Sequence, residues 1–302
     1  MHSYYTGEYS ALIAGGYRSI SNRRLKDSEV VPQEGSICTP SVPKLPTYIS
    51  YQPSLMLTQD HKIIICGGSF NEKRCLEMVS NTWVQHSSLN QKRRCASAIS
   101  MESGSFFFGG IDSKATWEWL PSGSSKWIPG NSSIPVPGIK RGCAVKISQN
   151  EIALIGGRES PRKLISYNTK TGQWKNYGNI LKEGRSGHAC VLFNEKIFVV
   201  GGNSEADYFN STEVIDLRDL TISTLSGNLI QRRANHGLAV VHVGNNRTVI
   251  AMGGIEEGVD LDSIEAWDET TGKWTMLDMK ISLAKSAFAY LSVPHLLICS
   301  LT

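Results

Sequence analysis

The sequence is short of most features that announce a membrane, nucleic-acid or catalytic role. No apolar run reaches the roughly 18–20 residues of a membrane-spanning helix, so none is expected. The N-terminal residues hold no basic segment followed by an apolar run, so no signal peptide is expected. Charge of one sign is scarce as well. The 31 Lys and Arg stand against 27 Asp and Glu, a net +4. That excess is too mild and too evenly spread to point to nucleic acid or a membrane surface. Charged residues are nonetheless only 19% and apolar residues 40%, so a sizeable core can form and wholesale disorder is excluded.

Metal and nucleophile signatures are missing too. The seven histidines form no HExxH or other close ligand spacing, and no GxSxG elbow or Walker loop occurs. The seven cysteines, Cys38, Cys66, Cys75, Cys95, Cys143, Cys190 and Cys299, are odd in number and include no CxxC pair. Most sit in apolar runs. They are expected to be buried thiols of a reducing compartment, which favours a cytoplasmic location over a disulfide frame or zinc site. The three N-x-S/T sequons, at Asn131, Asn210 and Asn246, are at the level chance gives in a chain this rich in Asn, Ser and Thr. No cofactor is expected.

What the chain has is glycine, 28 residues of it, and a repeat. A short apolar run ending in Gly-Gly recurs six times, at Gly15-Gly16, Gly67-Gly68, Gly109-Gly110, Gly156-Gly157, Gly201-Gly202 and Gly253-Gly254. The first glycines are 52, 42, 47, 45 and 52 residues apart. Repeats near this period signal solenoids or propellers. After each Gly-Gly come a polar loop, a short strand, a turn and, in four copies, a tryptophan: Trp83, Trp127, Trp174 and Trp274. The runs are four to seven residues long, rich in β-branched and aromatic side chains, and bounded by Gly, Asn, Asp or Pro. No 3.6-residue periodicity is sustained. Each repeat therefore holds about four short strands, the content of one propeller blade. Gly-Gly at a strand end implies positive φ or a backbone pressed against a neighbour. The tryptophans are suited to filling the wedges between blades.

As a set, this pattern resembles the kelch motif over nearly the whole chain. The resemblance implies an all-β fold, a six-bladed kelch β-propeller with four short antiparallel strands per blade, forming one domain over residues 1–302. Ring closure by strands from both termini is expected, with "SAFAYL" near Ala287 supplying the inner strand that the first blade lacks. The tail "HLLICSLT" reads as an unmatched second strand, either a frayed cap or the start of a truncated seventh blade.

Arginine recurs in four of the loops that lead into an inner strand: Arg93, Arg94, Arg141, Arg185, Arg232 and Arg233, with Lys285 in the analogous place of a fifth. A second set follows Gly-Gly: Tyr17, Arg18, Ser69, Arg158 and Asn203. In kelch substrate adaptors these two loop positions open onto one face of the disc and bind acidic peptides. The resemblance thus implies a non-enzymatic module that binds a protein partner through an acidic or hydroxyl-bearing segment. The residues expected to meet it are Arg18, Ser69, Arg94, Arg141, Arg158, Arg185, Asn203, Arg233 and Lys285. Guanidinium forks suit this task because they grip carboxylates bidentately. Relatives with a BTB or F-box region use such a face to choose substrates for a ubiquitin ligase.

The competing class is a kelch-type enzyme or metal-dependent specifier acting on a small molecule. The specifier pattern E-x-x-x-D-x-x-x-H is met by Glu256 and Asp260 but fails at Ile264. His188 and His236 each follow a loop arginine by three residues and are expected to pack or cap loops. The basic loop Asn22–Asp27 is expected to be solvated.

Overall fold

The computed structural model describes residues 8–31, 41–68, 73–243 and 246–301. The chain folds into six small antiparallel sheets arranged in a ring, a six-bladed propeller. Around the axis the inner strands run Ala289–Pro294, Ser54–Leu57, Ser97–Met101, Cys143–Ser148, Ala189–Phe193 and Gly237–Val243, for blades 1 to 6 in turn. Blades 2 to 6 each show four strands. Blade 1 shows three, and of the five prolines between residues 32 and 53, Pro32 and Pro40 lie outside the described residues.

The second strand of each blade is buried on both faces. Ile63–Cys66, Gly104–Phe108 and Tyr9–Ala14 are examples, and this is why they read as continuous apolar runs rather than alternating ones. The apolar residues form six clusters, one in each wedge between neighbouring blades. The tryptophans do fill these wedges. The indoles of Trp83, Trp127, Trp174 and Trp274 donate to Pro43 O, Ser87 O, Ser132 Oγ and Thr212 Oγ1 of the preceding blade, at 2.9–3.2 Å. The "xTG" turns are held by Asn168 and Asp268, whose side chains accept the N–H groups of Lys170 and Thr270 at 3.0 and 2.9 Å.

The Gly-Gly pairs leave no room for a side chain. Gly67 has φ +71°, and a Cβ there would stand 2.3 Å from the carbonyl oxygen of Arg93. That carbonyl accepts the N–H of Gly68 at 2.9 Å, and the same bond recurs at all six blade junctions. Both anticipated causes, left-handed backbone and close approach, therefore act together.

The ring closes as expected. Ala289–Pro294 pairs antiparallel with Tyr9–Ala14, from Ala14↔Ala289 to Tyr9↔Pro294. The tail is not a strand. His295–Leu301 forms an α-helix that buries Leu297 and Ile298, and His295 Nδ1 meets Ser10 Oγ at 2.8 Å.

The cysteine reading needs correction. Cys66 and Cys75 stand directly opposite on paired strands, with Cα atoms 4.2 Å apart, and are disulfide-bonded. Cys143 and Cys190 lie on neighbouring inner strands, 5.9 Å apart at Cα, and are bonded too. Cys299 is also disulfide-bonded, while Cys95 is a buried free thiol. Blade geometry brings residues 47 apart in sequence into register, which spacing arguments built on CxxC do not test. Cysteine usage thus gives no argument for a reducing compartment. No helix among the described residues is long and apolar enough to cross a membrane.

Candidate functional site

One face of the disc is organised around a closed circuit of backbone hydrogen bonds. Tyr51, Cys95, Arg141, Gly187, Asn235 and Ala287 occupy equivalent places in the six blades, two residues after the carbonyl that meets the preceding Gly-Gly. All six have left-handed backbone, with φ between 51° and 62°. Each N–H from Cys95 to Ala287 donates to the equivalent carbonyl of the previous blade, and Gln52 N completes the circuit on Ala287 O. The six distances span 2.7–3.1 Å. Among the described residues, the loops before the inner strands meet the loops after Gly-Gly beside this circuit, as at Tyr17↔Ser286, Ser186↔Asn203 and Ala234↔Ile255.

The position two residues before each circuit residue is occupied by Ile49, Arg93, Ile139, Arg185, Arg233 and Lys285. None of these is more than 3% exposed. Arg185, Arg233 and Lys285, expected to face a partner, are instead inside the blades. Arg233 donates to Gly253 O at 2.8 Å and to Ser263 O at 3.2 Å, and pairs with Glu265 at 2.6 Å. Arg185 repeats this with Gly201 O, Ser211 O and Glu213. Arg93 does so with Gly109 O, Thr116 O and Glu118. Lys285 reaches Glu29 at 2.9 Å. Each of these glutamates also accepts backbone N–H groups of the loop leading into its own blade, such as Ile230 N and Gln231 N on Glu265. Burial lowers the pKa of Arg93, Arg185 and Arg233, and the paired carboxylates oppose that shift. These cations hold the loops; they do not offer charge to a ligand.

His188 and His236 lie just inside the circuit and line the central channel, a cavity of about 350 Å³. His188 Nε2 is 3.2 Å from the Ile155 carbonyl, so it carries the proton. Burial, then the Arg185 charge, pulls the His188 pKa down to about 3. Burial, then Arg233, holds His236 well below the usual imidazole range. Both rings are neutral packing elements, as expected.

The remaining expected residues divide by place. Arg141, Arg158 and Asn203 come together in one cleft of about 490 Å³ between blades 4 and 5, over the buried Arg185. Ser186 and Glu205 complete its walls. Arg158 is exposed and Arg141 half-buried, and neither enters an ion pair among the described residues. Arg94 is engaged by Asp112 at 3.3 Å. Arg18 is half-buried on blade 1, away from the cleft. Ser69 lies outside the described residues. Among the described residues, no group of three or more His, Cys, Asp and Glu is placed to hold a metal. Asp260 binds Ser19 rather than completing a ligand set with Glu256.

The KLHDC2/KLHL20/DRC7 Kelch-repeats domain matches residues 122–293, more than half of the chain. Kelch-like protein 40 of Xenopus laevis is 25% identical over 259 residues, covering 77% of this chain and 41% of that protein. Kelch-like protein 38 of Danio rerio is 30% identical over 117 residues, covering 35% of this chain and 19% of that protein. The chain thus spans less than half the length of either relative. A solved structure of YjhT superposes with a TM-score of 0.69 at 13% identity, covering 82% of this chain and 88% of that one, which speaks to the fold alone. With six matching blades and this domain match, the chain belongs to the kelch-repeat propeller family.

Proposed function

We propose that the chain is a non-enzymatic protein-binding module that takes an acidic segment of a partner into the cleft between blades 4 and 5. The observation that carries this reading is that Arg141 and Arg158 line one cleft and neither is ion-paired among the described residues, although Glu205 lies in the same wall. Surface arginines of a folded domain are free to find acidic neighbours, as Arg218 finds Asp216 at 2.6 Å. Two that do not, side by side at a concave site, suit an incoming carboxylate, with Asn203 and Ser186 offering hydrogen bonds to a hydroxyl or to peptide backbone. Each charge-assisted bond contributes about 1.5–3 kcal/mol. Arg94 and Arg18 extend the same face around the axis. As the recognition part of a ubiquitin-ligase adaptor, the chain would supply target choice only. A cytoplasmic partner belongs to the same proposal.

The test is affinity purification with mass spectrometry on the wild type and on Arg141→Glu/Arg158→Glu. Loss of acidic partners with an unchanged melting temperature supports the reading, and full retention of every partner overturns it. Arg185 and Arg233 are unsuited to this test, because their loss strikes the fold.

A further inference from the structure

The basic loop Asn22–Asp27 belongs to a small hairpin in which Tyr17–Arg18 pairs with Arg23–Arg24 across the turn Ser19–Ser21. A second hairpin, Ile255–Glu256 with Val259–Asp260, follows the Gly-Gly of blade 6. Both rise from the circuit face. They are locked together, since Asp260 accepts the N–H of Ser19 and, at 3.2 Å, its hydroxyl. At the joint, two large apolar side chains stand in solvent: Ile20 is 84% exposed and Val259 65%. Each hairpin carries one sign of charge. The first holds Arg18, Arg23 and Arg24, and the second Glu256, Glu257 and Asp260. No ion pair joins the two hairpins among the described residues, because Asp260 is turned to Ser19.

A patch with a positive half, a negative half and an apolar centre is its own complement. A twofold rotation sets the basic hairpin of one copy against the acidic hairpin of another, and buries Ile20 and Val259 of both in the middle. A purely acidic ligand would be repelled by Glu256 and Glu257, and a purely basic one by Arg18 and Arg23. We propose that this platform is a self-association site for a second copy of the chain. The two hairpins supply about fourteen residues a side, against the roughly 20–30 of a standard interface, so the dimer is transient and salt-sensitive.

Sedimentation velocity over a concentration series provides the test. The wild type is expected to show a monomer–dimer equilibrium that weakens with salt. Ile20→Lys/Val259→Lys is expected to remain monomeric with an unchanged circular-dichroism melt. Arg18→Glu/Arg23→Glu makes both hairpins acidic, and Glu256→Arg/Glu257→Arg makes both basic. Each charge variant alone is expected to dimerise at least about tenfold more weakly than the wild type, and an equimolar mixture of the two to form a heterodimer. A wild type that is monomeric at every concentration overturns the proposal. So do charge variants that self-associate like the wild type, or a mixture that forms no heterodimer.

Discussion

Replacing Arg233 by isoleucine leaves Glu265 fully buried without its cation. The Gly253 carbonyl loses the donor it has in Arg233, and the Ser263 carbonyl loses one of two, keeping the N–H of Gly253 at 3.0 Å. Removing one partner of a buried ion pair costs about 3–5 kcal/mol. For a domain of this size that lowers the melting temperature by roughly 5–8 °C. The chain itself indicates what repairs the damage. In blade 2 the Arg233 position is Ile49 and the Glu265 position is Leu76, packed in one cluster. In blade 4 the two positions are Ile139 and Ile165, again in one cluster. Where the carboxylate is absent, one of the two loop N–H groups it would accept is absent too. Pro46 stands at the equivalent of Ile230 and Pro137 at that of Gln231.

The double variant Arg233→Ile/Glu265→Ile should therefore be far more stable than Arg233→Ile alone. It leaves the N–H groups of Ile230 and Gln231 without acceptors, but Ile230 is 57% exposed and water reaches that loop. We expect the double variant within about 2 kcal/mol of the wild type, and a coupling energy of roughly 2–4 kcal/mol between the two sites. Guanidinium unfolding of the four proteins of the cycle, followed by tryptophan fluorescence, measures both. A single variant that costs less than about 1 kcal/mol would show that no charge is stranded. A double variant whose loss equals the sum of the singles would refute the exchange of ion pair for apolar pair.

Acid should weaken the fold before the carboxylates titrate. His188 and His236 bind protons less readily when folded than when unfolded, so stability falls as pH drops below the ordinary imidazole value of about 6.5. From about pH 7 to about pH 5 the loss is roughly 2 kcal/mol per histidine. His236→Phe copies Phe288, which packs on Gly253 as His236 packs on Gly201, and should remove its share of that slope in melts run across this range. Reduction should also destabilise the ring. The Cys143–Cys190 bond closes a span of 47 residues, worth about 4 kcal/mol, and Cys66–Cys75 a span of 9, worth about 2.5 kcal/mol. Melts with and without a thiol reductant, with alkylation and mass analysis, read this directly, and an unchanged melt after full reduction refutes it.

The six blades, the closure by both termini and the wedge tryptophans were legible because each rests on a local pattern that recurs. The helix His295–Leu301 was not, because its seven residues carry an apolar run that suits a strand equally well. The disulfides were not, because they depend on cross-strand and cross-blade register.

The loop arginines show where reading by residue type alone stops. Arg93 and Arg94 are neighbours, yet the first is 1% exposed and the second half-buried with an ion pair at the surface. Arg232 is exposed while Arg233 is buried. In extended chain, one residue of register turns a side chain to the opposite side. The register is set by the carbonyl that accepts the second glycine of the preceding blade, and the inward cation always sits on that residue. Its signature is a pair, the cation here and a glutamate on the third strand of the same blade, at Glu29, Glu118, Glu213 and Glu265. Both members turn apolar together in blades 2 and 4. The repeats therefore contain their own alignment. Read column by column, it separates arginines that hold the blades from Arg141 and Arg158, which fall in different columns.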